Sequence, residues 1–124
     1  MTPMRRDTMA SSDQDFVRSE SPGPGIVILV PTEDIDMSRS PILRTAIKGE
    51  LKPGLDSLII DLSEVQYMDS SGLATLVEAM RMAKNLTIDL HLAAMTPKVR
   101  AIFDIARLDA FFSIKDTRQE ALDS

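Results

Sequence analysis

Four consecutive residues, Asp69-Ser70-Ser71-Gly72, put a carboxylate, two hydroxyls and a glycine on one short stretch. A hydroxyl so placed can act as a nucleophile. Hydroxyl and carboxylate alike can cap a helix, taking one of the backbone N–H groups that a first turn leaves unpaired. The nucleophile reading is weak. No Gly-x-Ser-x-Gly elbow surrounds Ser70, and the single histidine, His91, falls on the polar face of an alternating pattern, as a surface histidine does. A second stretch, Pro31-Thr32-Glu33-Asp34-Ile35-Asp36, carries three carboxylates in four residues. Its spacing fits no EF-hand loop, and the bidentate glutamate of such a loop is missing. It reads as a solvated or protein-contacting loop, so no metal is expected. Nor is a cofactor, because no glycine-rich loop could cradle a phosphate.

The flanking patterns say what holds these residues. Leu58-Ile59-Ile60-Asp61-Leu62 reads as a buried strand. Leu73, Leu76, Val77 and Met80 follow at i, i+3, i+4 and i+7, the period of an amphipathic helix that runs to about Lys84. Strand, loop and helix in that order put Asp69 and Ser70 at the helix entrance. Upstream, Asp15-Phe16-Val17-Arg18-Ser19 predicts a first strand and Ser21-Pro22-Gly23-Pro24-Gly25 a turn. Ile26-Val27-Ile28-Leu29-Val30, apolar on both faces, predicts a central strand joined to the first as a hairpin. Ser40 as cap, Pro41 at the first position and Leu43, Ala46, Ile47 and Leu51 on one face predict a helix that Pro53-Gly54 ends.

Downstream, Ile88, Leu90 and Leu92 alternate with Asp89, His91 and Ala93 in a half-exposed strand. Thr96 and Pro97 open a third helix, with Val99, Ile102, Phe103 and Ala106 facing the core. Phe111-Phe112-Ser113-Ile114 predicts a short edge strand, and Thr117 with Glu120 forms a capping box for a last helix. Alternating strands and helices imply βαβ units and parallel pairing. The expected fold is α/β, a mixed and mainly parallel sheet of four to five strands with about four helices packed on it.

Size and composition bound the function. A chain of 124 residues with 44% hydrophobic content makes one domain with a core. Residues 1–13 lack periodicity and are expected to form a flexible tail, in which Met9 is a possible alternative start. A formal charge of −5 argues against direct nucleic-acid binding. The absence of cysteine excludes disulfides and thiolate chemistry. No apolar run is long enough for membrane insertion and no signal-peptide region is seen, so a soluble cytoplasmic domain is expected.

Over residues 14–124 the chain resembles the STAS domain, named for sulfate transporters and anti-sigma factor antagonists. The motifs are Ile35-Asp36-Met37-Ser38 before the first helix and Leu62…Met68-Asp69-Ser70-Ser71-Gly72-Leu73 before the second. Thr96-Pro97-Lys98-Val99, Phe103-Asp104-Ile105-Ala106-Arg107-Leu108 and the paired phenylalanines add support. The resemblance implies a stand-alone bacterial anti-sigma factor antagonist, not an enzyme. In such proteins an anti-sigma factor that is also a serine kinase phosphorylates the first serine of the turn, and a PP2C-type phosphatase removes the phosphate. It therefore implies Ser70 as phosphoacceptor, with Ser71 the adjacent alternative, and a kinase-contacting surface of Asp34, Asp36, Asp69, Ser71 and Gly72. Three departures stand out. Thr32, Glu33 and Asp34 replace a glycine usual before the Asp36 position, Asn85-Leu86-Thr87 replaces a glycine-rich turn, and Arg107 replaces another glycine.

The chemistry suits the place. The amino end of a helix stabilises an anion by about 0.3–1 kcal/mol at an exposed site, so the domain itself should tolerate a phosphate on Ser70. A partner docked over the same turn should not. The resemblance also allows a different role, a fixed subunit of a lipid-transport, transporter or stress-signalling assembly. That subunit would use the acidic connection and an exposed helix face of Thr75, Glu78 and Met82 as a permanent interface.

Overall fold

A computed structural model describes residues 16–124. The expected tail over 1–13, and Asp15 at the expected start of the first strand, lie outside them. Strands β1 (Val17–Gly23), β2 (Ile26–Pro31), β3 (Ser57–Asp61), β4 (Asp89–Ala93) and β5 (Ser113–Lys115) form one sheet in the order β1-β2-β3-β4-β5. The first pair is antiparallel and the other three pairs are parallel, as the hairpin and the βαβ pattern predict. The helices are α1 (Ser40–Glu50), α2 (Ser70–Leu86), α3 (Pro97–Ile105) and α4 (Arg118–Leu122). The α/β class, and the numbers of strands and helices among the described residues, agree with expectation.

Strand alternation divides the sheet into two faces. Leu29, Leu58, Ile60, Leu90 and Leu92 point to one side, where Leu43 and Ile47 of α1, Leu76 and Met80 of α2, and Val99 and Phe103 of α3 close the main core. Ile28, Val30, Ile59 and Ala93 point to the other side and meet Ala121 of α4. That explains why β2 is apolar on both faces. Arg118 fastens α4 there. Its Nε donates to Asp61 Oδ2 at 3.0 Å and its Nη1 to Glu20 Oε1 at 2.7 Å. Asp61 is only 5% exposed, so its charge needs that partner.

The structure corrects several local expectations. Ser21-Pro22-Gly23 is not part of the turn but continues β1, and only Pro24-Gly25 turns, with Gly25 at φ +77°. An edge strand accommodates Pro22 because the missing N–H costs no ladder bond on the open side, and the register shift between Glu20 and Gly23 absorbs the distortion. Ser40 does not cap α1. It is the first helical residue, Arg39 makes no side-chain cap, and the capping work falls to Asp36, described below. Ala106 is exposed, because α3 ends at Ile105 and the residue no longer follows the helical face. Of the expected edge strand only Ser113 and Ile114 join β5, while Phe112 turns into the core against Phe103 in an edge-to-face contact at 5.5 Å.

Candidate functional site

The loops after β2 and β3 leave the sheet side by side, at the carboxyl ends of parallel strands, where open α/β folds place their sites. Ile35 and Met68 form an isolated parallel bridge between them. Ile35 N–H donates to Tyr67 O at 3.0 Å, and Asp69 N–H donates to Ile35 O at 3.1 Å. Both bridge side chains are buried. Gly72 lies directly on them: a Cβ there would stand 2.5 Å from Met68 Cγ and 2.9 Å from Ile35 Cγ2. The glycine is needed so that the first turn of α2 can sit this low.

Asp69 is the N-cap of α2. Its Oδ1 accepts from Ser71 N–H at 2.9 Å, Ser71 Oγ–H at 2.6 Å and Gly72 N–H at 3.3 Å. The Ser71 hydroxyl, then the Gly72 and Ser71 amides, hold the carboxyl below its ordinary pKa against opposition from desolvation and the nearby Asp36 charge. Ser71 is thereby committed. Ser70 is the first residue of α2 and is exposed, and its hydroxyl makes no hydrogen bond among the described residues.

Asp36 repeats the arrangement one loop away. Its Oδ1 accepts from Ser38 N–H at 2.9 Å, Ser38 Oγ–H at 2.6 Å and Arg39 N–H at 3.2 Å. The Ser38 hydroxyl is the largest cause of a lowered carboxyl pKa here too. Arg39 pairs with Glu33 at 2.7 Å and lies 4.0 Å from Asp36 Oδ2. Asp34, although exposed, turns one oxygen inward: Oδ1 accepts from Gln66 N–H at 2.9 Å and Tyr67 N–H at 3.1 Å.

All six residues named from the sequence converge on this end of the sheet. Asp34 and Ser70 are exposed, Asp36, Asp69 and Ser71 are half-buried, and Gly72 is buried beneath them. Sequence reading missed two neighbours, Met37 (75% exposed) and Tyr67 (54% exposed), both apolar surface beside the acidic groups. Met37 lies inside the first motif and Tyr67 just before the second, but neither follows a periodicity that would have marked it as exposed apolar surface. The helix face of Thr75, Glu78 and Met82 is less exposed than expected, with Glu78 and Met82 half-buried. Thr75 is 7% exposed and donates to Ser71 O at 3.0 Å, while Glu78 accepts both Nε and Nη2 of Arg44 in the seam between α1 and α2. His91 lies within β4, opposite Ile59 of β3 and Ser113 of β5. It is half-buried, 2.7 Å from Ser113 Oγ, and burial lowers its pKa. A cleft of ≈ 380 Å³ lined by Lys84, Leu90, His91 and Phe111, among others, shares no residue with the acidic site.

Residues 22–121 match the family model of the STAS domain. The chain belongs to the STAS domain family. An anti-sigma-B factor antagonist of Listeria monocytogenes is 32% identical over 88 residues, covering 70% of this chain and 76% of the relative. An anti-sigma factor antagonist from Mycobacterium paratuberculosis superposes with a TM-score of 0.77 at 27% identity, over 86% of this chain and 90% of that one. The Bacillus cell fate determinant SpoIIAA in its phosphorylated form has the same fold, with a TM-score of 0.68 at 20% identity over 86% and 96% of the two chains. This STAS domain is thus of the anti-sigma factor antagonist kind, a regulatory family and not a family of enzymes. Among the described residues no helix is long and apolar enough to cross a membrane.

Proposed function

We propose that this STAS domain is a cytoplasmic switch protein whose unphosphorylated form binds an anti-sigma factor with serine kinase activity and so frees a sigma factor. Transfer of phosphate to Ser70 ends the binding, and a PP2C-type phosphatase restores it. The observation that carries this reading is the contrast within one turn: Ser71 is tied to Asp69, and Ser70 is exposed with no hydrogen-bond partner among the described residues. In the transfer, Ser70 Oγ attacks the γ-phosphorus of ATP and the bond to the β-phosphate oxygen breaks, releasing ADP. The hydroxyl proton passes to a base on the kinase, so this chain needs no catalytic group of its own.

Asp36 and Asp69, with Glu33 at the edge, face a basic partner, and Met37 and Tyr67 give it apolar surface to cover. A phosphate adds roughly −1.5 to −2 charges amid those carboxylates. Repulsion and desolvation then oppose docking, and about 1.4 kcal/mol is already a tenfold loss of affinity. The fold of SpoIIAA is compatible with a phosphorylated form in that protein. A fixed subunit docking through Thr75, Glu78 and Met82 is less favoured, since Thr75 is buried and Glu78 is engaged by Arg44 of α1.

The test is incubation with a cognate anti-sigma factor kinase and ATP, followed by mass-spectrometric localisation and a binding assay. Phosphate on Ser70 with loss of binding is expected. Phosphate on neither serine, or binding unchanged by it, would overturn the proposal.

A further inference from the structure

We infer that Asp34 is a positioning residue that sets the Ser70 turn from within the domain, and that its bonding oxygen matters more than its charge; this rests on the reading of Ser70 as phosphoacceptor. The family resemblance puts Asp34 on the partner surface. The geometry points inward instead. A single oxygen, Oδ1, receives two consecutive amides, Gln66 at 2.9 Å and Tyr67 at 3.1 Å, from a segment more than thirty residues away.

The next links carry the effect to Ser70. Tyr67 O accepts from Ile35, Ile35 pairs with Met68, and Ile35 O accepts from Asp69, the residue that caps α2. Asp34 therefore closes the outer end of a short ladder whose inner end is the cap itself. The ladder has a solid floor, since Gly72 lies on Met68 and Ile35 with no space for a methyl group. Gln66 and Tyr67 are exposed and belong to neither β3 nor α2, so no secondary structure holds their amides. Without Asp34 Oδ1 these two N–H groups would turn to water, and the four residues before Ser70 would lose their outer anchor.

Charge and bonding are separable here. Asparagine keeps an Oδ1 acceptor of the same shape and removes the charge, whereas alanine removes both. Two measurements on the full chain decide the matter. In native-state amide exchange, Asp34→Ala should speed exchange at Gln66 and Tyr67 by about tenfold, the weight of one to two hydrogen bonds, with a smaller rise at Asp69 and none in β3. Asp34→Asn should exchange as the unmodified protein does. In phosphorylation by the cognate kinase, Asp34→Ala should lose about tenfold or more in kcat through misplacement of the acceptor, and Asp34→Asn should stay within about twofold.

Equal kinetic losses in both variants would make Asp34 a charged partner contact and overturn the inference. So would unchanged exchange at Gln66 and Tyr67 in Asp34→Ala. Should the unmodified protein accept no phosphate, the proposed function fails on its own, and the exchange measurement still decides whether Asp34 holds the turn.

Discussion

Met37 occupies, in the turn headed by Asp36, the place that Ser70 occupies in the turn headed by Asp69. In each turn the carboxylate Oδ1 takes the hydroxyl of the residue two positions on, Ser38 or Ser71, at 2.6 Å, and the residue between is exposed. The bridge between Ile35 and Met68 sets the two turns side by side. The domain thus presents a thioether from one turn and an exposed hydroxyl from its neighbour, on a common acidic ground.

Ser70 and Ser71 should separate cleanly in mutants. Ser70→Asp is expected to weaken kinase binding by about tenfold or more, and Ser70→Ala to bind well but accept no phosphate, as titration calorimetry and kinase assays would register. Ser71→Ala keeps the acceptor but loses the bond to Asp69, so it should still be phosphorylated and be less stable by about 0.5–1.5 kcal/mol. A phosphate found on Ser71 in the unmodified protein would reverse the assignment.

The two capping carboxylates predict the acid limb of the stability curve. Asp36 and Asp69 ionise more readily folded than unfolded, chiefly because Ser38 and Ser71 donate to them. The folded state therefore binds fewer protons. The benefit is complete above the unfolded-state pKa, about 3.9, and is lost as pH falls through the lower folded values. Urea melts between about pH 5 and pH 2.5 should show this loss. Asp69→Asn still caps the helix but cannot titrate, so its acid limb should be shallower.

Gly72→Ala sets two effects against each other. A helix gains up to about 1 kcal/mol from alanine over glycine. The added Cβ, however, would stand 2.5 Å and 2.9 Å from side-chain atoms of two buried residues, and overpacking of that kind costs about 1–3 kcal/mol. Packing should win, with a net loss of about 1–2 kcal/mol in chemical denaturation. A variant as stable as the parent would mean that Met68 and Ile35 can yield.

Much of this could be read from the sequence, for a local reason. Leu43 and Ile47, or Leu76 and Met80, announce a helix face through spacing alone, and they do lie in the core. The α2 entrance was equally visible, because a cap and its helix are adjacent in the chain. What escaped were relations between distant residues or choices among near neighbours. Asp36, not Ser40, organises the entrance of α1, because its carboxylate reaches Ser38 and Arg39 from outside the helix. Thr75 is buried because its hydroxyl finds Ser71 O, a satisfaction no polarity scale records. The pairing of Arg118 with Asp61 and Glu20 spans most of the chain and leaves no periodic trace.

Two of the glycine replacements carry a measurable strain. Thr87 has φ 59° and Arg107 φ 62°, the left-handed region in which side-chain-bearing residues are disfavoured by about 1–2 kcal/mol. Glycine gives back part of that in backbone entropy, about 0.5–1 kcal/mol. Thr87→Gly should therefore stabilise the domain by about 0.5–1 kcal/mol, a rise of a few degrees in Tm by calorimetry. Arg107→Gly should gain less, since arginine is not β-branched.

The strand order has a consequence for how the molecule is made. Every strand lies beside its predecessor in the chain, so during synthesis each newly emerged strand meets an edge that already exists, and no earlier pairing must open to admit it. Arg118 then reaches back 98 residues to Glu20 and 57 to Asp61. Until α4 has emerged, Ile28, Val30 and Ile59 lack the Ala121 contact that completes their cluster, so this apolar face of the sheet stays open to water longest.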